Sequence, residues 1–148
     1  MPSLHLMPPL IAAALLTACG SADDAPAASP ETPASPAATV ATVTLASLTG
    51  DAARGERVFG QCRACHAIVP GQNMIGPSLH GVVGRKAGTV AGYAYSPANK
   101  GSAMVWDRET LFTYLEAPLT ALPGTKMAFA LRDPQQRADV IAYMETLK

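Results

Sequence analysis

Gln61-Cys62-Arg63-Ala64-Cys65-His66 sets two thiols three residues apart, with an imidazole directly after the second. Three chemistries use spacing of this kind. A zinc site needs about four ligands, and the sequence holds no second Cys or His pair at related spacing. A thioredoxin-like dithiol belongs in a βαβ unit, which a sequence this poor in alternating strand patterns does not offer. C-x-x-C-H is, by contrast, the attachment sequence of a c-type haem. Cys62 and Cys65 would add across the porphyrin vinyl groups as thioethers, and His66 would then sit beneath the iron as its proximal ligand. One such motif means one haem c, and a covalent haem implies redox chemistry outside the cytosol.

The surrounding sequence suits a domain built around such a ring. Ala67 to Met104 is long, irregular and dense in Gly and Pro, and the whole chain has only eight Phe, Trp and Tyr residues in 148. A large apolar cofactor can replace the aromatic core that is missing. The chain is long enough for one globular domain plus appendages. From Ala46 onward, eleven basic residues face eight acidic ones, a surplus of three. That modest excess suits docking on acidic protein patches and argues against nucleic acid, whose binders cluster many more Lys and Arg on one face.

The third cysteine has a separate setting. Cys19 ends the run Pro9 to Ala18, apolar except for Thr17, and Leu16-Thr17-Ala18-Cys19 resembles the lipobox of bacterial lipoproteins. In that family the cysteine becomes a lipidated N-terminus after cleavage, which assigns 1–18 to a signal peptide. The leader has no Lys or Arg before the run, and Pro8 and Pro9 break a helix there. Ordinary cleavage, for instance after Ala22, would instead discard Cys19 and leave a soluble periplasmic protein. An uncleaved span would need about 18 uninterrupted apolar residues, more than are present. Residues 19–45 read as the lipidated Cys and an Ala/Pro/Ser/Thr tether whose flexible reach is on the order of 28 Å, or roughly 80 Å in an extended PPII form. Residues 46–148 form the expected domain.

Within that domain the expected fold class is all-α. A helix should start at Asp51 and carry Ala52, Val58 and Phe59 inward, weakening at Gly60. Asp107 can cap a second helix through Glu116, with Leu111, Tyr114 and Leu115 on one face and Pro118 blocking continuation. Asp133, Pro134 and Gln136 make a capping-box-like start to a last helix, whose stripe of Val140, Ile141, Tyr143, Met144 and Leu147 faces the core.

A second iron ligand decides between a carrier and a catalyst. The candidates are His80, Met74, Met104, Met127 and Met144. Met127 is best placed, because Leu122-Pro123-Gly124-Thr125-Lys126-Met127-Ala128-Phe129 is a turn-rich segment between helices that could hold a thioether over the ring.

Several ordered blocks extend the pattern: Cys62 to His66, Gly76-Pro77-Ser78-Leu79-His80-Gly81, Gly84-Arg85-Lys86, Gly92-Tyr93-Ala94-Tyr95-Ser96, Ala98-Asn99-Lys100, Trp106, and Pro123 to Met127. From Gly50 to Lys148, about two thirds of the chain, the sequence resembles a class I cytochrome c of the mitochondrial type and its bacterial relatives. The resemblance implies a small mono-haem fold of helices and long loops wrapped around the ring. It also implies His66 and Met127 as axial ligands, with the Pro77 carbonyl accepting a hydrogen bond from the other imidazole nitrogen. Arg85, Tyr95 and Trp106, assisted by Tyr93, match residues that hold the haem propionates. Asn99, Tyr114 and Thr125 match a buried polar network near the methionine, and Phe129 matches the aromatic covering the exposed side. Without the resemblance, Tyr114 and Phe129 would read as core aromatics, Arg85 as a surface charge and His80 as a structural or surface histidine.

The function so implied is that of a monomeric electron carrier, not an enzyme, with no small-molecule substrate. It would take electrons from a cytochrome bc-type complex and pass them to a terminal oxidase or photosynthetic reaction centre, on the periplasmic side of a bacterial membrane. Two alternatives stand: a haem-bearing subunit of a periplasmic enzyme complex, and a peroxidase-like haem enzyme in which Met127 leaves the iron. The domain carries only four lysines, Lys86, Lys100, Lys126 and Lys148, so electrostatic steering should be weaker than in mitochondrial members. Confinement by the tether could offset that by raising local concentration.

Overall fold

The computed structural model describes residues 42–148. The proposed signal peptide, Cys19 and the tether as far as residue 41 lie outside them. Leu45, the last residue of the expected tether, is buried in a short 3-10 turn, Leu45–Ser47, that packs on a helix of the domain.

Five helices follow: α1 (Ala52–Phe59), α2 (Pro97–Gly101), α3 (Arg108–Glu116), α4 (Pro118–Ala121) and α5 (Pro134–Met144). Among the described residues there is no strand, only one isolated bridge between Lys86 and Val105. Each long helix starts where a carboxylate can accept a free amide of the first turn. Asp51 accepts from Arg54 N at 2.8 Å, Asp107 from Thr110 N at 2.7 Å, and Asp133 from Gln136 N at 2.9 Å. Pro118 ends α3 as expected and then starts α4, because its missing N–H costs nothing at the first position of a helix. The irregular stretch also contains α2, capped by Ser96 and begun by Pro97.

The frame is the packing of α1 on α5. Phe59 and Ile141 are wholly buried, and the Phe59 and Tyr143 rings meet at 5.1 Å with a 56° tilt. Each such side chain contributes roughly 1.5–3 kcal/mol of transfer free energy. The helices approach so closely that a Cβ on Gly55 would overlap the Asp139 carbonyl, which makes this glycine a steric requirement. Asp139 is buried at the same crossing. Its carboxylate accepts from Asp51 N at 2.8 Å, Arg54 Nε at 2.9 Å and Gln135 Nε2 at 2.9 Å. Those bonds, led by Arg54, hold it below the usual carboxylate range.

No helix among the described residues is long and apolar enough to cross a membrane. The loops between α1 and α3, and between α4 and α5, do not fill the space enclosed by α3 and α5. They line it.

Candidate functional site

The enclosed space is a cavity of about 500 Å³ with a largely apolar lining. Hydrogen-bonded turns continue the chain from the end of α1 into one wall: Cys62 N donates to Phe59 O at 2.8 Å, and His66 N to Cys62 O at 2.9 Å. This coiling brings Cys62, Cys65 and His66 to the cavity together. His66 Nδ1 lies 2.7 Å from the Pro77 carbonyl oxygen. A carbonyl can only accept, so Nδ1 carries the proton and Nε2 keeps its lone pair. Burial pushes the imidazole pKa down against the smaller opposing effect of the Pro77 bond, which keeps the ring neutral. Gly76 makes the fit possible, since a Cβ there would overlap the His66 ring.

Met127 reaches the same cavity from the segment between α4 and α5. Its backbone is placed by Thr125, whose N donates to Leu122 O at 3.0 Å and whose Oγ1 joins three groups. Asn99 Nδ2 donates to Oγ1 at 3.2 Å, Met127 N donates at 3.4 Å, and Tyr114 Oη lies 2.8 Å away. Two acceptor lone pairs and one proton on the threonine hydroxyl match those three partners. Burial raises the Tyr114 phenol pKa, offset in part by the Thr125 bond. Lys126 Nζ donates to Ala94 O at 2.8 Å, joining this segment to the loop that carries Tyr93 and Tyr95.

Arg85 also lines the cavity, held by Nη1 to His80 O at 2.8 Å and Nη2 to Ser78 O at 2.9 Å. Desolvation lowers its pKa while the neighbouring Tyr95 raises it. Tyr93 donates to Ile75 O at 2.6 Å and packs edge-on against Tyr95, with centroids 4.7 Å apart. Tyr95 Oη accepts from Val90 N at 3.3 Å. The Trp106 and Tyr114 rings lie 4.7 Å apart on the inner side. Phe129 is at the rim, 42% exposed.

Every residue that the resemblance places at the haem, from Cys62 to Phe129, therefore borders this one cavity. His80, Met74 and Met104 do not line it; Met144 does, from α5 and within the buried core. Leu111, Leu115 and Val140 are further wall residues that the sequence reading gave only to the helical stripes. A stripe of spacing 3.6 marks the inward face but does not say whether protein or cofactor covers it.

A box of helices and loops around an apolar cavity, with two thiols and a neutral imidazole on one wall, is the build of a protein that clasps a planar cofactor. The cytochrome c profile matches residues 52–148. Similar relatives include cytochrome c of Euglena viridis, 52% identical over 67% of this chain and 99% of its own length, and cytochrome c2 of Rhodopila globiformis, 50% identical over 67% of this chain and 95% of its own. Among solved structures, cytochrome cH from Methylobacterium extorquens superposes with a TM-score of 0.63 at 47% identity, covering 66% of this chain and 99% of that one. The chain belongs to the cytochrome c family, with the all-α class I fold. It is accordingly a haem-bearing electron carrier and not an enzyme. The cavity fits haem on its own terms: the lining is apolar, Gly76 leaves room for the imidazole, and Nε2 of His66 is free to bind a metal.

Proposed function

We propose that one haem is joined to Cys62 and Cys65 as thioethers, with His66 and Met127 as its two axial ligands. The observation that carries this is the fixed tautomer of His66, set by Pro77, in the same cavity as Met127, whose backbone N–H donates to the Thr125 hub. The haem supplies a one-electron ferric/ferrous couple.

The chain's own residues tune and protect it. The Pro77 bond orients the imidazole and strengthens it as a donor. Met127 offers a soft sulfur that favours the reduced iron, and His/Met ligation raises the potential. The apolar walls exclude water, which disfavours the more highly charged oxidised form. Arg85, the Tyr95 hydroxyl and the Trp106 indole N–H would hold the haem carboxylates, whose burial would otherwise be costly, while Tyr93, its own proton given to Ile75 O, would assist by packing edge-on against Tyr95. With backbone and side-chain bonds already fixing both ligand segments, little needs to reorganise as charge changes. Phe129 and Ile75 border the rim where an electron would enter and leave.

On this reading the partners are membrane redox complexes, a quinol-oxidising cytochrome bc-type donor and a terminal oxidase or photosynthetic reaction centre as acceptor. The protein works on the periplasmic side, held to the membrane by lipid at Cys19. Ferric spectra test the ligation: a Met-to-iron charge-transfer band is expected, and a high-spin signature in its place would overturn it. Reduced-minus-oxidised spectra of membranes from a deletion strain, with respiration assayed branch by branch, test the partners.

A further inference from the structure

Arg137 is a buried cation that the haem site does not use. It sits on α5 at 2% exposure, away from the cavity lining. Its Nη1 donates to Leu131 O at 3.1 Å and to Arg132 O at 2.7 Å. The guanidinium also stacks 4.3 Å over the Phe112 ring of α3, and Nη2 lies 3.4 Å from a carboxylate oxygen of Glu116, which is largely exposed. Arg137 Nε is buried with no hydrogen-bond partner. Burying a guanidinium with a half-solvated counter-ion and an orphaned donor is costly. Simple core packing gives no reason to retain such a group at a site an apolar residue could fill.

What the arginine holds is the downstream end of the Met127 segment. Leu131 follows Met127 by four positions, and its own N donates to Leu115 O of α3 at 2.7 Å. Upstream, the Thr125 hub holds the same segment to α2 and α3. Residues 126–130 thus span two fixed points, and Arg137 is the downstream pin, fastening carbonyls that follow the loop to the helix pair α3 and α5.

We propose that Arg137 is a positioning residue for Met127, keeping the loop closed and the thioether in place without itself touching the cofactor. This rests on Met127 being the second axial ligand. A closed loop excludes outside ligands, so apparent affinity for a competing ligand rises in proportion to the fraction of molecules with the loop open. Variants that merely weaken the whole fold leave that fraction unchanged, because under native conditions local opening far outweighs global unfolding.

The test is a titration of the ferric holoprotein with imidazole at fixed pH, read by loss of the Met-to-iron charge-transfer band. Arg137→Met should bind imidazole at least tenfold more tightly. Arg137→Lys, a point charge without the planar fork, should fall between it and the unaltered protein. The Leu131 amide should exchange with deuterium correspondingly faster in both. Asp139→Asn, which weakens the α1/α5 crossing, should lower the urea midpoint but leave imidazole affinity within twofold. Affinities of both Arg137 variants within twofold of the unaltered protein would overturn the inference alone. Survival of the band in Met127→Ala would overturn the ligand assignment, and this inference with it.

Discussion

Thr125→Val removes one oxygen atom from the loop that carries Met127 and little else, since the two side chains have nearly the same shape. Thr125 is 8% exposed, so water has little access to replace what is lost. Two groups then lose a partner in a buried setting: Asn99 Nδ2, now at 3.2 Å, and the Tyr114 hydroxyl, now at 2.8 Å. The Met127 N bond at 3.4 Å is long and adds least. A buried polar group without a partner costs about 1–3 kcal/mol. Two of them, partly relaxed, should lower stability by about 2–4 kcal/mol, or roughly 8–16 °C in Tm for a domain near a hundred residues. Urea unfolding of the haem-bearing protein measures this directly, and Thr125→Ser, which keeps the oxygen, should recover most of the loss. In a double-mutant cycle with Tyr114→Phe, the two hydroxyls should couple by about 1 kcal/mol. A Thr125→Val protein within about 0.5 kcal/mol of the parent, the range of an ordinary surface change, would show that the oxygen is not a hub.

Three other changes probe separate parts of the structure. Asp139 has a carboxyl pKa below its unfolded value of about 3.9, so its contribution is complete above that value and fades as pH falls through the lower folded one; Asp139→Asn should lower stability across neutral and alkaline pH by a constant amount and flatten the acid limb of the stability against pH curve. Gly76→Ala forces a methyl group into the His66 ring, and either the Pro77 bond or the ring position must yield; a shifted reduction potential and weakened low-spin bands are expected, and an unaltered spectrum would count against the steric reading. Cys19→Ser should release the protein from membranes with its haem spectrum intact, and mass spectrometry of the mature N-terminus should find lipid on Cys19 in the parent.

Much of the frame was legible because its signals are local. Asp51, Asp107 and Asp133 each precede a helix, and each carboxylate accepts the amide three residues on. The haem motif is a contiguous string. Met127 stood out because Pro123 and Gly124 make a turn that no helix could absorb. What the sequence concealed is non-local. Nothing near Gly55 says that Asp139 will come within contact distance of it, and nothing near Arg137 says that its guanidinium will meet two carbonyls and a phenyl ring. The short α2 hid among Gly and Pro, although Ser96-Pro97 is a cap followed by a first-turn proline. The apolar stripes of α3 and α5 were visible as inward faces, yet spacing could not show that part of each borders a cavity.

The crossing of α1 and α5 joins residues far apart in the chain: Asp51 N bonds Asp139 across 88 positions. Closing a loop of that length costs on the order of 4 kcal/mol in chain entropy beyond a constant, which the crossing must repay while the intervening chain contributes few regular elements. A cut in the exposed turn between Ala91 and Gly92 would turn that closure into the meeting of two molecules. The halves should still reassemble, since one brings α1 and the haem cysteines and the other α3, α5 and Met127. The melting point of the nicked protein would then rise with its concentration, a dependence that the cut alone introduces.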